Sequence, residues 1–454
     1  MGRFLTQKLF LPVSRVQRSR TVSRSILYDH YRSGMKLRRE SLDWSFDQKL
    51  EWVLNNLRRA VRKAAAETSF YKTTFERVGF DANSNFTLDD FGRLPALTRE
   101  DVHSAGTDLI STAIPKRFLV QDSTGGSTGA PTRIWTGPEE RGWSESGIEF
   151  ALESIGVPAG SRIAYFWGHH LDPQLKPTQK EKLRSWAMNY RFFDSFRLSK
   201  QTFQAYHEQL ERYAPDCIVA YSSALGQFAE YLRANGIRPI NYPRVCFVTG
   251  AEKLYPHHRA EIEEVFGRDK PVHERYGGRD FGPVAIQPDP KHSLRYSIDW
   301  TWAIVERETP DICSPILVTK LHADAMPLIR YRVGDIGRFA PEAKPGWPAF
   351  ELDEVIGREL DGIQKPDGSW LHGSQFPHLL KDFPVREFML VQAEDLSIEM
   401  AIVPDTGFGE ADRRKIFETI SANTGNLPFE IRFTDAIDRG PANKWRPVVS
   451  RVRT

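Results

Sequence analysis

Seven consecutive residues, Ser123-Thr124-Gly125-Gly126-Ser127-Thr128-Gly129, are Ser, Thr or Gly. Side chains this small let backbone N–H groups approach an oxyanion, and the hydroxyls add donors, which is the chemistry of a phosphate-cradling loop. The G-x-x-x-x-G-K-[ST] pattern is absent, so this is not a loop of the Walker type. Apolar Phe118-Leu119-Val120 on one side and Arg133-Ile134-Trp135-Thr136 on the other read as strands, so the segment is expected to join two strands. A flexible linker is the competing reading, and the chain has no other low-complexity segment. Further on, Tyr276 precedes Gly277 and Gly278 and offers an aromatic face to a base. Arg279 beside it suits a phosphate or an anionic substrate, or a pairing with Asp280. Asp335 closes Arg332-Val333-Gly334-Asp335 at an expected strand end, where the plain alternative is a surface turn. Phe166-Trp167-Gly168-His169-His170 follows another expected strand. Trp143, Trp167 and Tyr221 are candidate pocket walls, with His169 at the strand end, and core packing is the alternative for the aromatics. Neighbouring side chains on a strand point to opposite faces, so His169 and His170 do not make a metal site together. The three cysteines, Cys217, Cys246 and Cys313, are too few and too scattered for a disulfide framework or a cysteine zinc site.

These residues need rigid elements to position them. Leu50, Val53, Leu54, Leu57, Val61 and Ala64 recur at three- and four-residue intervals and predict a helix over 48–66. A second helix is expected from about Lys200 to Tyr213, ending before Pro215. A strand at Asp216–Ala220 then precedes a helix at Ala224–Ala234, and a strand at Arg244–Val248 precedes a helix at Pro256–Phe266. Such alternation predicts an α/β fold: a large layered body with parallel sheets. Near residue 356 the composition shifts. Lys365-Pro366-Asp367-Gly368 is a hairpin signal, followed by alternating segments at Met389–Val391 and Ser397–Val403 that predict a small C-terminal α+β domain on a hinge. The expected division is a basic N-terminal extension over 1–45, a large domain over 46–356 and a small mobile domain over 357–454.

With 454 residues, 40% hydrophobic and 27% charged, the chain is an ordinary globular mixture, neither disordered nor fibrous. Residues 1–40 carry ten Lys/Arg against Asp29 and Glu40, a net of +8, while the whole chain carries +3. The excess of base thus belongs to the leader, and nothing in the body calls for a nucleic-acid partner. The leader is Arg- and Ser-rich, which leaves organellar targeting beside a surface-packed extension on an otherwise cytoplasmic protein. No stretch reaches the roughly 18 uninterrupted apolar residues of a membrane-spanning helix.

Several segments, in order, resemble the adenylate-forming superfamily of acyl-CoA synthetases and luciferase, in the branch with phenylacetate–coenzyme A ligase and capsule-biosynthesis relatives. Beyond the small-residue loop these are Thr68-Ser69-Phe70-Tyr71-Lys72, Leu94-Pro95-Ala96-Leu97-Thr98-Arg99-Glu100-Asp101, Ala220-Tyr221-Ser222-Ser223 and Thr249-Gly250-Ala251-Glu252-Lys253-Leu254. Tyr276-Gly277-Gly278-Arg279-Asp280-Phe281-Gly282 and Pro327-Leu328-Ile329-Arg330-Tyr331-Arg332-Val333-Gly334-Asp335 follow. Gly357-Arg358 with Asp361-Gly362-Ile363, then Pro441-Ala442-Asn443-Lys444-Trp445-Arg446, complete the series. It spans about residues 50–454.

The resemblance implies an ATP-dependent, AMP-forming ligase that converts a carboxylic acid to an acyl-adenylate and passes the acyl group to coenzyme A. Ser123 through Gly129 would hold phosphates, Gly250-Ala251-Glu252 and Tyr276 the adenine, and Asp335 the ribose hydroxyls. Arg358 would contact ribose or phosphate near the hinge. Asp280 stands where the family has Glu at magnesium; Asp is one methylene shorter. Lys444, by itself an ordinary lysine of a basic tail, would bridge the attacking carboxylate and the α-phosphate. The implied acid is aryl or arylacetic. The alternatives are transfer to an amine or hydroxyl, and a nucleotide binder without catalysis, for which Arg279, Ala130 and Leu360 are the departures.

Overall fold

The computed structural model describes residues 21–123, 132–167, 185–186, 188–195, 198–358, 362–366, 370–372, 375–380, 383–437 and 447–452. The chain divides into two compact units, Met1–Val333 with Arg338–Glu354, and Gly334–Gly337 with Val355–Thr454.

The first unit begins with helices α1 (Thr21–Glu40), α2 (Phe46–Glu67), α3 (Ser69–Val78) and α4 (Arg99–Ala105). Strands β1 (Val120–Ser123) and β2 (Arg133–Thr136) precede α5 (Pro138–Ser154). Next come β3 (Ile163–Trp167), β4 (Tyr190–Asp194), α6 (Lys200–Tyr213), β5 (Cys217–Tyr221), α7 (Ser222–Ala234), β6 (Cys246–Gly250), α8 (Pro256–Phe266) and β7 (Val272–Gly278). Strands β8 (Gly282–Ile286), β9 (Tyr296–Ile298), β10 (Ala303–Arg307), β11 (Cys313–Lys320), β12 (Tyr331–Arg338), β13 (Glu351–Leu352) and β14 (Glu354–Arg358) follow, of which Gly334–Gly337 in β12 and β14 past Glu354 belong to the second unit.

Local signals explain these elements. Ser45 and Gln48 form a capping box at the start of α2, whose Val53, Leu57, Val61 and Ala64 are fully buried, the stripe read from the sequence. Ser199 caps α6, which ends at Ala214 before Pro215. Pro256 occupies the first turn of α8, where its missing N–H costs nothing. On the near side of the small-residue loop, Lys116–Phe118 is a 3-10 turn and the strand starts at Val120, later than the apolar run suggested, because Pro115 directs the chain into the turn.

An eight-stranded sheet runs in the order β13-β9-β8-β7-β6-β5-β3-β4. The stretch from β7 to β4 is parallel, and α6, α7 and α8 make the crossovers from β4 to β5, β5 to β6 and β6 to β7, as the strand–helix alternation predicted. One face packs Phe166, Ile218, Ala220, Phe247 and Val272 against α6, α7 and α8. The other packs Ile163, Cys217, Val219, Cys246 and Val248 against Leu152 of α5 and its neighbours.

The basic N-terminal region is partly structural. Leu27 and Met35 of α1 are buried, and Arg38 donates to Asp299 at 2.7 Å and to Ser146 at 2.8 Å. A Cβ on Gly142 of α5 would stand 2.6 Å from the Cβ of His30, so glycine lets the two helices meet.

The second unit holds the β15 (Gly362–Gln364) and β16 (Trp370–His372) hairpin where the turn signal stood, then α9 (Gln375–Leu380). Its sheet runs β19-β18-β17-β20, from β17 (Val385–Gln392), β18 (Ile398–Pro404), β19 (Phe429–Phe433) and β20 (Val448–Ser450), with α10 (Glu410–Thr424) between β18 and β19. Leu390, Met400, Ile402, Ile416 and Ile420 center its core. Among the described residues no helix is long and apolar enough to cross a membrane.

Candidate active site

The parallel strands set their carboxyl ends side by side. Tyr221 pairs with Gly250, Ala220 with Phe166 and Thr249 with Glu274. Trp167, Tyr221, Gly250 and the Arg275–Gly278 end of β7 therefore line one sheet edge, the edge where open α/β sheets bind ligands. Trp167 and Tyr221 stack with ring centroids 4.3 Å apart and planes at 15°.

Past β6 the chain turns sharply, with Ala251 in the left-handed region at φ 66°. The turn carries Glu252 back to α7. Its carboxylate Oε2 accepts the Ser223 N–H at 3.1 Å, and its carbonyl accepts the Ser222 hydroxyl at 3.1 Å. Tyr221, the residue before α7, provides no side-chain cap, so a carboxylate from about thirty positions away satisfies the helix start.

β7 turns into β8 through Tyr276-Gly277-Gly278-Arg279-Asp280. Tyr276 is buried against Phe281, centroids 5.6 Å apart. A Cβ on Gly277 would stand 2.5 Å from the Gly282 carbonyl oxygen, so the hairpin closes only on glycine. Asp280 is buried, 4% exposed, and accepts the Tyr331 hydroxyl at 2.9 Å. Arg99, the first residue of α4, stands 3.9 Å from the same carboxylate and donates to the Val333 carbonyl at 3.4 Å. Its Nε is buried and has no hydrogen-bond partner among the described residues. Burial, then the charge of Asp280, pushes the Tyr331 hydroxyl well above its usual pKa, so it remains a donor.

Strands β1 and β2 pair in antiparallel register, Ser123 opposite Arg133, so the small-residue segment joins two strands as expected. Asp122, one residue before that segment, ion-pairs with Arg279 at 3.6 Å, both largely exposed. Arg279 therefore pairs with Asp122 rather than with its neighbour Asp280. In the second unit, Arg358 of β14 ion-pairs with Asp335 of β12 at 3.1 Å, and Asp335 is 8% exposed.

Comparison with solved structures gives this arrangement a context. The chain is similar to 2-hydroxyisobutyryl-CoA ligase in its postadenylation state with 2-HIB-AMP, at TM-score 0.69, 16% identity and 90% of each chain covered. The chain has the adenylate-forming ligase fold. The amide bond synthetase McbA from Marinactinospora thermotolerans is also similar, at TM-score 0.50 and 16% identity, over 73% of this chain and 70% of that one. In sequence, the chain is 19% identical over 436 residues to protein CapK of Staphylococcus aureus, covering 93% of each. No family model matches.

Within this adenylate-forming fold, the first unit brings together Trp167, Tyr221, Gly250, Ala251, Glu252, Tyr276, Gly277, Gly278, Arg279 and Asp280 along one edge, and the second brings together Asp335 and Arg358. Thr124 through Gly129, His169 and Lys444, with Leu360 and Asp361 at the expected pivot, lie outside the described residues; for Ser123 the description covers the strand alone. Among the described residues no three His, Cys, Asp or Glu gather as a metal site. Site selection from the sequence missed Arg99, Tyr331 and Arg275. All three lie in or beside quoted motif segments, but their burial and partners are long-range facts.

Proposed function

We propose that the chain is an ATP-dependent, AMP-forming ligase. A carboxylate oxygen attacks the α-phosphorus of ATP, the bond to the β-phosphate oxygen breaks, and acyl-adenylate and pyrophosphate form. The mixed anhydride is then attacked by a second nucleophile and AMP leaves. The observation that carries this reading is the single edge holding the Trp167–Tyr221 stack, the Gly250–Glu252 turn and the Tyr276–Asp280 segment, at the carboxyl ends of parallel strands.

In this reading Ser123 through Gly129 hold the phosphates, Tyr276 and the 250–252 turn hold the adenine, and Asp335 holds the ribose hydroxyls with Arg358 beside it. Asp280 offers one carboxylate, oriented by Tyr331. One or two carboxylates plus phosphate oxygens suit magnesium, so Asp280 fits an ion that arrives with ATP and neutralises phosphate charge. Lys444 stabilises charge developing between the attacking carboxylate and the α-phosphate. The acid is aryl or arylacetic, with Trp167, His169 and Tyr221 as pocket walls, and coenzyme A is the acceptor. Transfer to an amine is the second reading, favoured by the fold likeness to McbA.

Carboxylate-dependent exchange of labelled pyrophosphate into ATP tests the first step. Exchange with at least one acid of a broad panel is expected, and nucleotide binding with no exchange would overturn the enzyme reading. Trapping with coenzyme A then separates the acceptors: a thioester supports the thiol, persistent adenylate the amine.

A further inference from the structure

We propose that β19 is the contact between two copies of this chain, paired antiparallel about a two-fold axis at Ile431. The sheet of the second unit runs β19-β18-β17-β20, and among the described residues β18 is the one strand that pairs with β19. An edge strand offers its outer N–H and C=O groups to another strand. The register with β18 is parallel, Met400 opposite Ile431 and Ile402 opposite Phe433. The Pro428 carbonyl accepts the Ile398 N–H at 2.8 Å, and the Thr434 N–H donates to the Ile402 carbonyl at 3.0 Å, so the even-numbered positions bond to β18. Backbone groups of successive residues turn to opposite sides of a strand. The N–H and C=O groups of Phe429, Ile431 and Phe433 therefore point away from β18.

Backbone, charges and side chains all suit a second copy. With the axis at Ile431, the pairs that exchange backbone bonds are Ile431 with Ile431 and Phe429 with Phe433 of the second copy, which uses the outward residues alone. Between them, at the closer positions, Glu430 faces Arg432 of the second copy and Arg432 faces its Glu430. Opposite charges there attract, and like charges repel. The strand reads Phe-Glu-Ile-Arg-Phe, aromatic at both ends with opposite charges placed evenly about Ile431. Glu430 is exposed and has no ion pair among the described residues. Arg432 is 60% exposed and meets Glu399 of β18 through Nε at 2.8 Å. Opposed residues share a sheet face, so the two core-side faces become one. On that face Phe417 of α10 stacks on Phe429 and Phe408 meets Phe433, each with centroids 5.4 Å apart. Phe417 and Phe433 are 45% and 43% exposed. The second copy sets its own aromatic pairs beside them and removes that apolar surface from water.

Sedimentation of the full chain over a concentration series tests the pairing. A contact built on a short strand lies at the small end of specific interfaces, so a dimer with Kd in the micromolar range is expected. A monomer up to about 0.2 mM would overturn the proposal. Glu430→Arg and Arg432→Glu each set like charges against each other twice across the axis and should weaken the dimer about tenfold or more. Mixed in equal amounts, the two variants regain opposite charges and should associate as the native chain does, and so should the double variant. A dimer indifferent to both variants, or a weakening that neither mixing nor the double variant reverses, would overturn it. Where a variant fails to fold, amide exchange of the native chain decides. The Phe429, Ile431 and Phe433 amides should exchange about tenfold or more slowly in the dimer than after dilution to monomer, and equal exchange at all three would place the contact elsewhere.

Discussion

Two regions of the first unit bury charge, and they bury it differently. Behind α5, Lys320 and Glu140 meet at 2.6 Å with side chains 0% and 6% exposed. His322 stacks on Trp143 with centroids 3.7 Å apart, shares Nδ1 with Glu139 at 3.1 Å and sets Nε2 against the Thr301 carbonyl at 3.1 Å. Asp324 accepts the Glu139 and Glu140 N–H groups at 3.0 and 3.3 Å, capping α5 from afar. At the strand ends, by contrast, Asp280 is buried beside Tyr331 and Arg99, and its chain neighbour Arg279 forms a largely exposed pair with Asp122.

Acids and a histidine shift strongly in the first region, and at the strand ends Tyr331 is raised. Burial pushes Glu140 up to about 7 and His322 down to about 4. Burial would also raise Glu139, but the His322 hydrogen bond and the Arg59 charge hold it at about 2. Perturbed groups often mark catalysis, yet structural ion-pair networks perturb them too. Here the region of interlocked partners holds helices and sheet together, and the strand-end region is the one to which the proposed function assigns chemistry.

Four measurements can break or sharpen that contrast. Lys320→Met strands the Glu140 carboxylate and should destabilise the unit by about 3–5 kcal/mol in denaturant unfolding, with little change in KM for ATP. A large change in KM at unchanged stability would move this region into the site. Lys444→Ala should slow adenylation by about 10²–10³, some 3–4 kcal/mol, while supplied acyl-adenylate is still converted; loss of both steps would contradict the assigned role.

The third is a pH dependence. His322 faces Glu139, Arg59, Arg38 and the Thr301 carbonyl. Its pKa is lower folded than unfolded, so its contribution is present above about 6.5 and is lost as pH falls toward about 4. His322→Phe should remove that part of the slope in stability against pH; an unchanged slope would refute the buried neutral imidazole. The smallest effect is expected from Arg279→Ala. Its exposed pair contributes about 0–1 kcal/mol to stability, so the melting temperature should hold while KM for ATP rises severalfold. A lower melting temperature with constant KM would make Arg279 structural.

The sequence carried the local signals. The buried stripe of α2, the start and end of α6, the Pro256 start of α8 and the hairpin at 362–372 all follow from spacing, caps and turn residues within a few positions. The expected strand at Arg244–Val248 runs Cys246–Gly250. The expected helix at Ala224 begins at Ser222, where Glu252, about thirty positions away, caps the first turn.

By itself, the sequence determined where helices and strands form and that a small-residue loop lies between two strands, since these depend on neighbours a few residues apart. Only the tertiary structure decided which charges meet. Arg38 finds Asp299 261 residues away, Lys320 finds Glu140 180 away, and Tyr331 finds Asp280 51 away. Such pairings arise when sheet order and helix packing bring distant positions together, and the low polarity there makes each buried charge require the partner it meets.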